Sequence, residues 1–103
     1  MDILEKKEHY SMLYDFYESL LTERQREYFE AYYFNDMTLQ EISDEFKVSR
    51  NAAFLSLKKV FSAMDEYEAK LKLCAKFKKR EELYKKLENK ENIDLINELR
   101  NIE

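Results

Sequence analysis

The sequence predicts an all-α, helix-turn-helix bundle with a long fourth helix and a short C-terminal helix. Three observations carry that prediction. Glycine and proline are both absent from the 103 residues, which removes turns that need positive φ without penalty, Gly-rich phosphate loops and nucleotide-binding fingerprints. Apolar residues recur at spacings of three and four, as one buried helix face requires. Capping residues punctuate that pattern at short intervals and so mark several helices in succession. The length suffices for a core without covalent staples. The expected organisation is a single all-helical domain over 1–103, with the helix-turn-helix at 38–60 and a basic helical extension at 61–88.

A first helix is expected over residues 2–20, with Leu13, Phe16, Tyr17 and Leu20 on one face. In "TERQ", Thr22 accepts from the Gln25 N–H while Gln25 reaches back to the Thr22 N–H, a capping box that opens a second helix running to about Phe34. Tyr28, Phe29, Tyr32 and Tyr33 form an aromatic stripe on it. Such a stripe reads as core rather than as a base-stacking platform, because a helix in a small bundle must bury one face. "NDM" at 35–37 supplies turn residues, and "TLQE" repeats the capping box with Thr38 and Glu41. Leu39, Ile42 and Phe46 give the third helix an apolar edge, and Ser49 caps the fourth. Lys47 stands where such turns favour glycine, which predicts a strained or slightly different turn.

From Ala53 the apolar residues fall at Leu57, Val60, Met64, Tyr67, Leu71 and Cys74, a heptad seam. An unbroken helix to Leu87 would be about 55 Å long at 1.5 Å per residue, more than a domain of this size covers. Either the chain bends near 72–80 or a second copy packs along the stripe, and a homodimer is the favoured expectation. Ile93, Ile96, Leu99 and Ile102 make a short terminal helix with Asn92 as its cap.

Formal net charge is −4. Its distribution is uneven: residues 1–48 carry 5 basic and 12 acidic side chains, residues 49–80 carry 9 and 3, and residues 81–103 carry 4 and 7. Positive potential is therefore concentrated on one segment, which favours a defined docking face over general stickiness. A single cysteine, Cys74, forms neither an intramolecular disulfide nor a metal site, and it reads as a small buried hydrophobe. No apolar run approaches the roughly 20 residues that span a bilayer, and no export signal is evident, so a soluble cytoplasmic protein without membrane insertion is expected. His9 has no convergent partners in the sequence, and the adjacent carboxylates Asp44–Glu45 and Glu81–Glu82 diverge on a helix as solvated faces. No catalytic residue, metal site or cofactor is expected, and the chain does not read as an enzyme.

In a helix-turn-helix the first helix braces the phosphate backbone and the start of the second enters the major groove. Thr38 and Ser49 then lie at helix N-termini that face phosphates, Arg50 is a candidate for a phosphate or a guanine edge and Asn51 for an adenine edge, and Lys58 and Lys59 extend the basic face as phosphate contacts. For an RNA target, Lys72, Lys76, Lys79 and Arg80 are the better candidates, because A-form major grooves are too narrow for a helix. Phe54 and Leu55 stand one turn on, where polar readers are expected. With Met64, Tyr67 and Leu71 they form a candidate protein interface.

The stretches "LYDFYESLLTERQREYFEAYYFNDMTLQEISDEFKVSR" and "YEAKL" resemble the YlxM family of small bacterial proteins, and the resemblance covers nearly the whole chain. It implies a fold like the region-four domain of sigma-70 factors. It also implies an accessory or regulatory role in the bacterial signal recognition particle pathway, with that particle's RNA or its GTPase as partner. Where the family pattern usually reads "SRQAVYDNIKRT" this chain has "SRNAAFLSLKKV", keeping Ser49, Arg50, Ala52 and Lys58 but placing Ala53 for a valine and Leu55 for an acidic residue. The other readings of the same residues are a DNA-binding transcriptional regulator on duplex DNA, and a protein adaptor docked on the GTPase without nucleic-acid contact.

Overall fold

The computed structural model describes residues 3–102, with side chains from residue 6 onward. Six α-helices follow one another among them: α1 Ile3–Tyr17, α2 Glu23–Tyr33, α3 Leu39–Phe46, α4 Arg50–Leu71, α5 Leu73–Leu87 and α6 Ile93–Ile102, with one 3-10 turn at Glu18–Leu20 after α1. The expected start of the first helix at Asp2 lies outside the described residues. The chain divides into two compact units, Met1–Lys72 and Leu73–Glu103.

In the first unit the helix starts are set by side chains. Thr22 and Thr38 each accept from the backbone N–H three residues on, and Gln25 and Glu41 each accept in return from the threonine N–H, so both capping boxes are complete. Each satisfies two donors that a helix end otherwise leaves open. The end of α3 solves the missing-glycine problem differently. Lys47 adopts the left-handed conformation, φ 56° and ψ 45°, at a cost of about 1 kcal/mol for a residue with a Cβ. The turn around it is held by Val48 N–H on the Ser43 carbonyl at 3.1 Å and by Ser43 Oγ on the Val48 carbonyl at 2.6 Å.

Helices α1, α2 and α3 all pack on α4. Ala53, Leu57, Val60 and Met64 are buried, so this half of the heptad seam is covered from within the chain. Tyr28, Ala31, Ile42, Ala53 and Leu57 form one cluster, with Met37, Phe46, Val48 and Phe61 against it. Ala53 has no exposed surface. Phe29 is the aromatic centre, stacked on Tyr14 at 4.4 Å and on Tyr33 at 4.7 Å, with Phe61 at 6.1 Å edge-on. Burial pushes the Tyr14 hydroxyl up to about 12, with the Glu30 carboxylate adding to it. Polar ties fix α1 along α4: Tyr10 donates to Asp65 at 3.0 Å, and Tyr17 donates to Glu68.

The long helix ends at Lys72, again left-handed at φ 55°, whose N–H bonds the Glu68 carbonyl at 2.9 Å. The chain thus breaks at the start of the 72–80 stretch without a proline. In the second unit Arg100 donates to Glu81 at 2.9 Å, lies 3.8 Å from Glu88 and sits over the Tyr84 ring. Glu81 is therefore an ion-pair partner and not merely a solvated carboxylate. Ile96 is buried, whereas Leu99 and Ile102 are exposed, so the apolar face of α6 is narrower than its sequence pattern. Asn89, not Asn92, supplies the accepting side chain before α6: its Oδ1 takes the N–H groups of Glu91 and Asn92, while the Asn92 amide donates to the Leu87 carbonyl.

Candidate nucleic-acid interface

Two helix starts were candidates for phosphate contact, and they differ chemically. At α3 the Thr38 N–H donates to Glu41 Oε1 at 3.0 Å, and Thr38 Oγ1 accepts from the Glu41 N–H at 3.1 Å. These bonds to Thr38, the backbone one foremost, pull the Glu41 carboxyl below its ordinary range, so it carries a full negative charge at that helix end. Thr38 has its donor engaged and an anion beside it, which makes it a poor phosphate site. At α4 Ser49 Oγ accepts from the Ala52 N–H at 3.0 Å, and the first turn holds no acidic residue. The positive end of the helix dipole is left to outside anions there.

Arg50, Asn51, Lys58 and Lys59 all lie exposed along α4. Asn51, Lys58 and Lys59 lie on the side of α4 away from the buried Ala53–Met64 stripe, while Arg50, at its first turn, sits near the edge of that stripe. Among the described residues no carboxylate comes within ion-pair distance of Arg50, Lys58 or Lys59, while other cations of the chain do find one. Phe54 and Leu55 sit between them, 49 % and 46 % exposed. A shallow groove of about 490 Å³ runs between α3 and α4, lined by Leu39, Arg50, Asn51 and Phe54. Beyond Lys59 the same face turns acidic at Asp65 and Glu66, both exposed.

The remaining candidates are dispersed. Lys72 is exposed at the end of the first unit. In the second unit Lys76 is exposed, Lys79 lies 4.0 Å from Glu82, and Arg80 is half-buried. Of the protein-interface candidates, Met64 is a correction: it is fully buried against the unit's own helices and has no surface to offer a partner. A heptad pattern marks which residues need cover, not what covers them. Tyr67 is half-buried with its hydroxyl on the Leu20 carbonyl at 3.3 Å, and Leu71 is 43 % exposed. Among the described residues no cluster of three or more His, Cys, Asp or Glu side chains is placed to hold a metal ion. No helix is long and apolar enough to cross a membrane.

Sequence reasoning overlooked one feature. A second groove, about 630 Å³, opens between the starts of α1, α3 and α4 and the end of α2, with Lys6, Lys7, Tyr32, Thr38 and Arg50 in its wall. Its signal was present in Tyr32, which the aromatic stripe counted as core but which is 42 % exposed, whereas Tyr28 and Phe29 are buried.

Two capped helices joined by a left-handed turn, the second with its polar face outward, define a helix-turn-helix protein. Residues 4–102 match the family model UPF0122, described as "Putative helix-turn-helix protein, YlxM / p13 like", and the chain belongs to that family. It is 47 % identical over 92 residues to a UPF0122 protein of Halalkalibacterium halodurans, covering 89 % of this chain and 83 % of that one. A UPF0122 protein of Geobacillus sp. is 40 % identical over 110 residues, covering 98 % and 100 %. One from Bacillus pumilus is 46 % identical over 84 residues, covering 82 % and 76 %.

Proposed function

We propose that the chain is a nucleic-acid-binding accessory or regulatory factor of the bacterial signal recognition particle pathway. The observation that supports binding is the start of α4: a helix end without an acidic residue, followed by exposed Arg50, Asn51, Lys58 and Lys59, whose three cations have no carboxylate in ion-pair distance among the described residues. Such a face binds phosphates by releasing their counterions, and its strength falls with salt. The particle enters through the family resemblance, and its RNA or its GTPase is the partner that resemblance implies.

The test is fluorescence anisotropy of the protein with particle RNA, a scrambled RNA and duplex DNA, each at two salt concentrations. Preference for particle RNA, with a log–log salt slope of about −2 to −4 at roughly 0.7–0.9 per phosphate contact, is the expected result. Duplex DNA binding best would identify a transcriptional regulator. Absence of binding at low salt would overturn the nucleic-acid reading.

The half-exposed Phe54 and Leu55 support a second reading, a protein adaptor that lays this face into an apolar groove of the GTPase. Binding to the GTPase that is insensitive to salt and lost on Phe54→Ser would select it. A homodimer belongs to the same proposal, since Leu71 is left exposed at the end of the heptad seam; sedimentation equilibrium would then report twice the 12.6 kDa chain mass.

A further inference from the structure

The groove between the starts of α1 and α4 has the chemistry of a site for an anionic ligand with a flat ring. Its wall carries three cations, Lys6, Lys7 and Arg50, against one carboxylate, Asp36. Lys7 lies 3.6 Å from Asp36, which leaves Lys6 and Arg50 with no carboxylate in ion-pair distance among the described residues. The lining itself is net positive, which favours an anion on the Lys6 and Arg50 side, away from the Glu41 carboxylate that engages Thr38. At about 630 Å³ the groove falls within the span of roughly 300–1,000 Å³ usual for ligand sites, well above what a lone phosphate fills.

Tyr32 supplies the second element. Its ring stands edge-on to Tyr33 at 5.6 Å and to Phe61 at 6.5 Å, so its place is fixed, yet 42 % of the residue remains exposed. A held aromatic ring beside backbone-gripping cations is the arrangement by which proteins take unpaired nucleotides, the ring stacking a base and the cations holding its phosphate. A paired base offers no free π-face, since both faces are stacked inside the duplex.

We infer that this groove takes one unpaired nucleotide of a single-stranded nucleic acid, its base on Tyr32 and its phosphate between Lys6 and Arg50. The inference rests on the nucleic-acid reading above and sharpens it: the face at α4 grips backbone, and the groove selects single strand over duplex.

The experiment measures anisotropy of the full chain with a labelled single-stranded RNA of about a dozen nucleotides and with the same strand annealed to its complement. Tyr32→Ala is expected to weaken single-strand binding on the order of 10-fold, in keeping with base–aromatic stacking, and to leave duplex binding unchanged. Tyr32→Phe retains the ring and restores affinity. Lys6→Ala, on an exposed side chain, lowers the single-strand salt slope by about 0.7 and guards against a Tyr32→Ala chain that fails to fold. If Tyr32→Ala and Lys6→Ala leave single-strand affinity untouched while Lys58→Ala and Lys59→Ala reduce binding, the groove assignment is wrong and the α4 reading stands. Equal loss on both forms also overturns it. If the unaltered chain binds neither form, the nucleic-acid reading fails and the groove assignment falls with it.

Discussion

The basic residues of α4 and those of α5 lie in different units, and they meet different neighbours. In the first half of α4, Arg50, Lys58 and Lys59 stand exposed with no carboxylate in ion-pair distance among the described residues, and only near its end does Lys70 reach Glu66 at 3.2 Å. Along α5, Lys79 and Lys86 both reach Glu82, at 4.0 and 3.8 Å. Those exposed pairs contribute little stability, but they lower the local potential that an external phosphate would feel. The cores differ as well. Among the described residues, twelve hydrophobic ones of the first unit are buried, from Leu13 to Met64, against Cys74 and Ile96 in the second. The difference teaches that charge summed along a sequence does not measure a binding face; what matters is which cations a well-packed scaffold holds apart from their own carboxylates.

The contrast in packing predicts the largest effect. Phe29, fully buried between Tyr14 and Tyr33, should cost about 3–5 kcal/mol on replacement by alanine. Leu83, 45 % exposed on α5, should cost less than about 0.5 kcal/mol. Urea titrations of the two variants, followed by helical circular dichroism, give both numbers. Similar losses would show that the second unit packs far more tightly than its exposures indicate.

The contrast in charge comes next. Replacing Arg50, Lys58 and Lys59 together by alanine should reduce the salt slope for nucleic acid by about 2–3. The double change Lys79→Ala and Lys86→Ala should reduce it by less than about 1, because those charges already sit beside Glu82. Equal reductions would make the whole basic segment one phosphate-binding track and remove the distinction between the two helices.

Much of this was legible in sequence. The capping boxes at Thr22 and Thr38, the Ser49 cap and the three-and-four spacing of Leu13, Tyr17, Ile42 and Val60 report local chemistry, which survives translation into coordinates. The pairing of Lys79 and Lys86 with Glu82 was written in their i,i+3 and i,i+4 spacing, yet a charge count over 49–80 hides it. Other features depend on what packs against what. Met64 and Tyr32 both carried helix-face patterns, and only the arrangement of α1, α2 and α4 makes one fully buried and leaves the other at the mouth of a groove. Asn89 uses its side chain on the turn ahead of α6, at the N–H groups of Glu91 and Asn92, because the backbone turn, not the residue type, decides which amide can reach which N–H.

The smallest predicted effect tests the backbone at two matching points. Lys47 and Lys72 both hold φ near 55°, at 56° and 55°, where a Cβ crowds the following carbonyl. Glycine relieves that crowding but adds freedom to the unfolded chain, so Lys47→Gly should raise stability by only about 0.5–1 kcal/mol. Differential scanning calorimetry would register this as a Tm rise of roughly 2–6 °C. The Ser43 bonds to Val48 hold the Lys47 turn inside the first unit, so the gain belongs to that unit's transition. Lys72 stands at the last residue of the first unit, with one backbone bond to Glu68. If Lys72→Gly gives the same rise, its left-handed turn is maintained by cooperative folding through the end of α4. If Lys47→Gly raises Tm and Lys72→Gly lowers it, freedom gained in the unfolded chain outweighs the relief, and the break after α4 is set by the residues on either side of it, not by strain at Lys72.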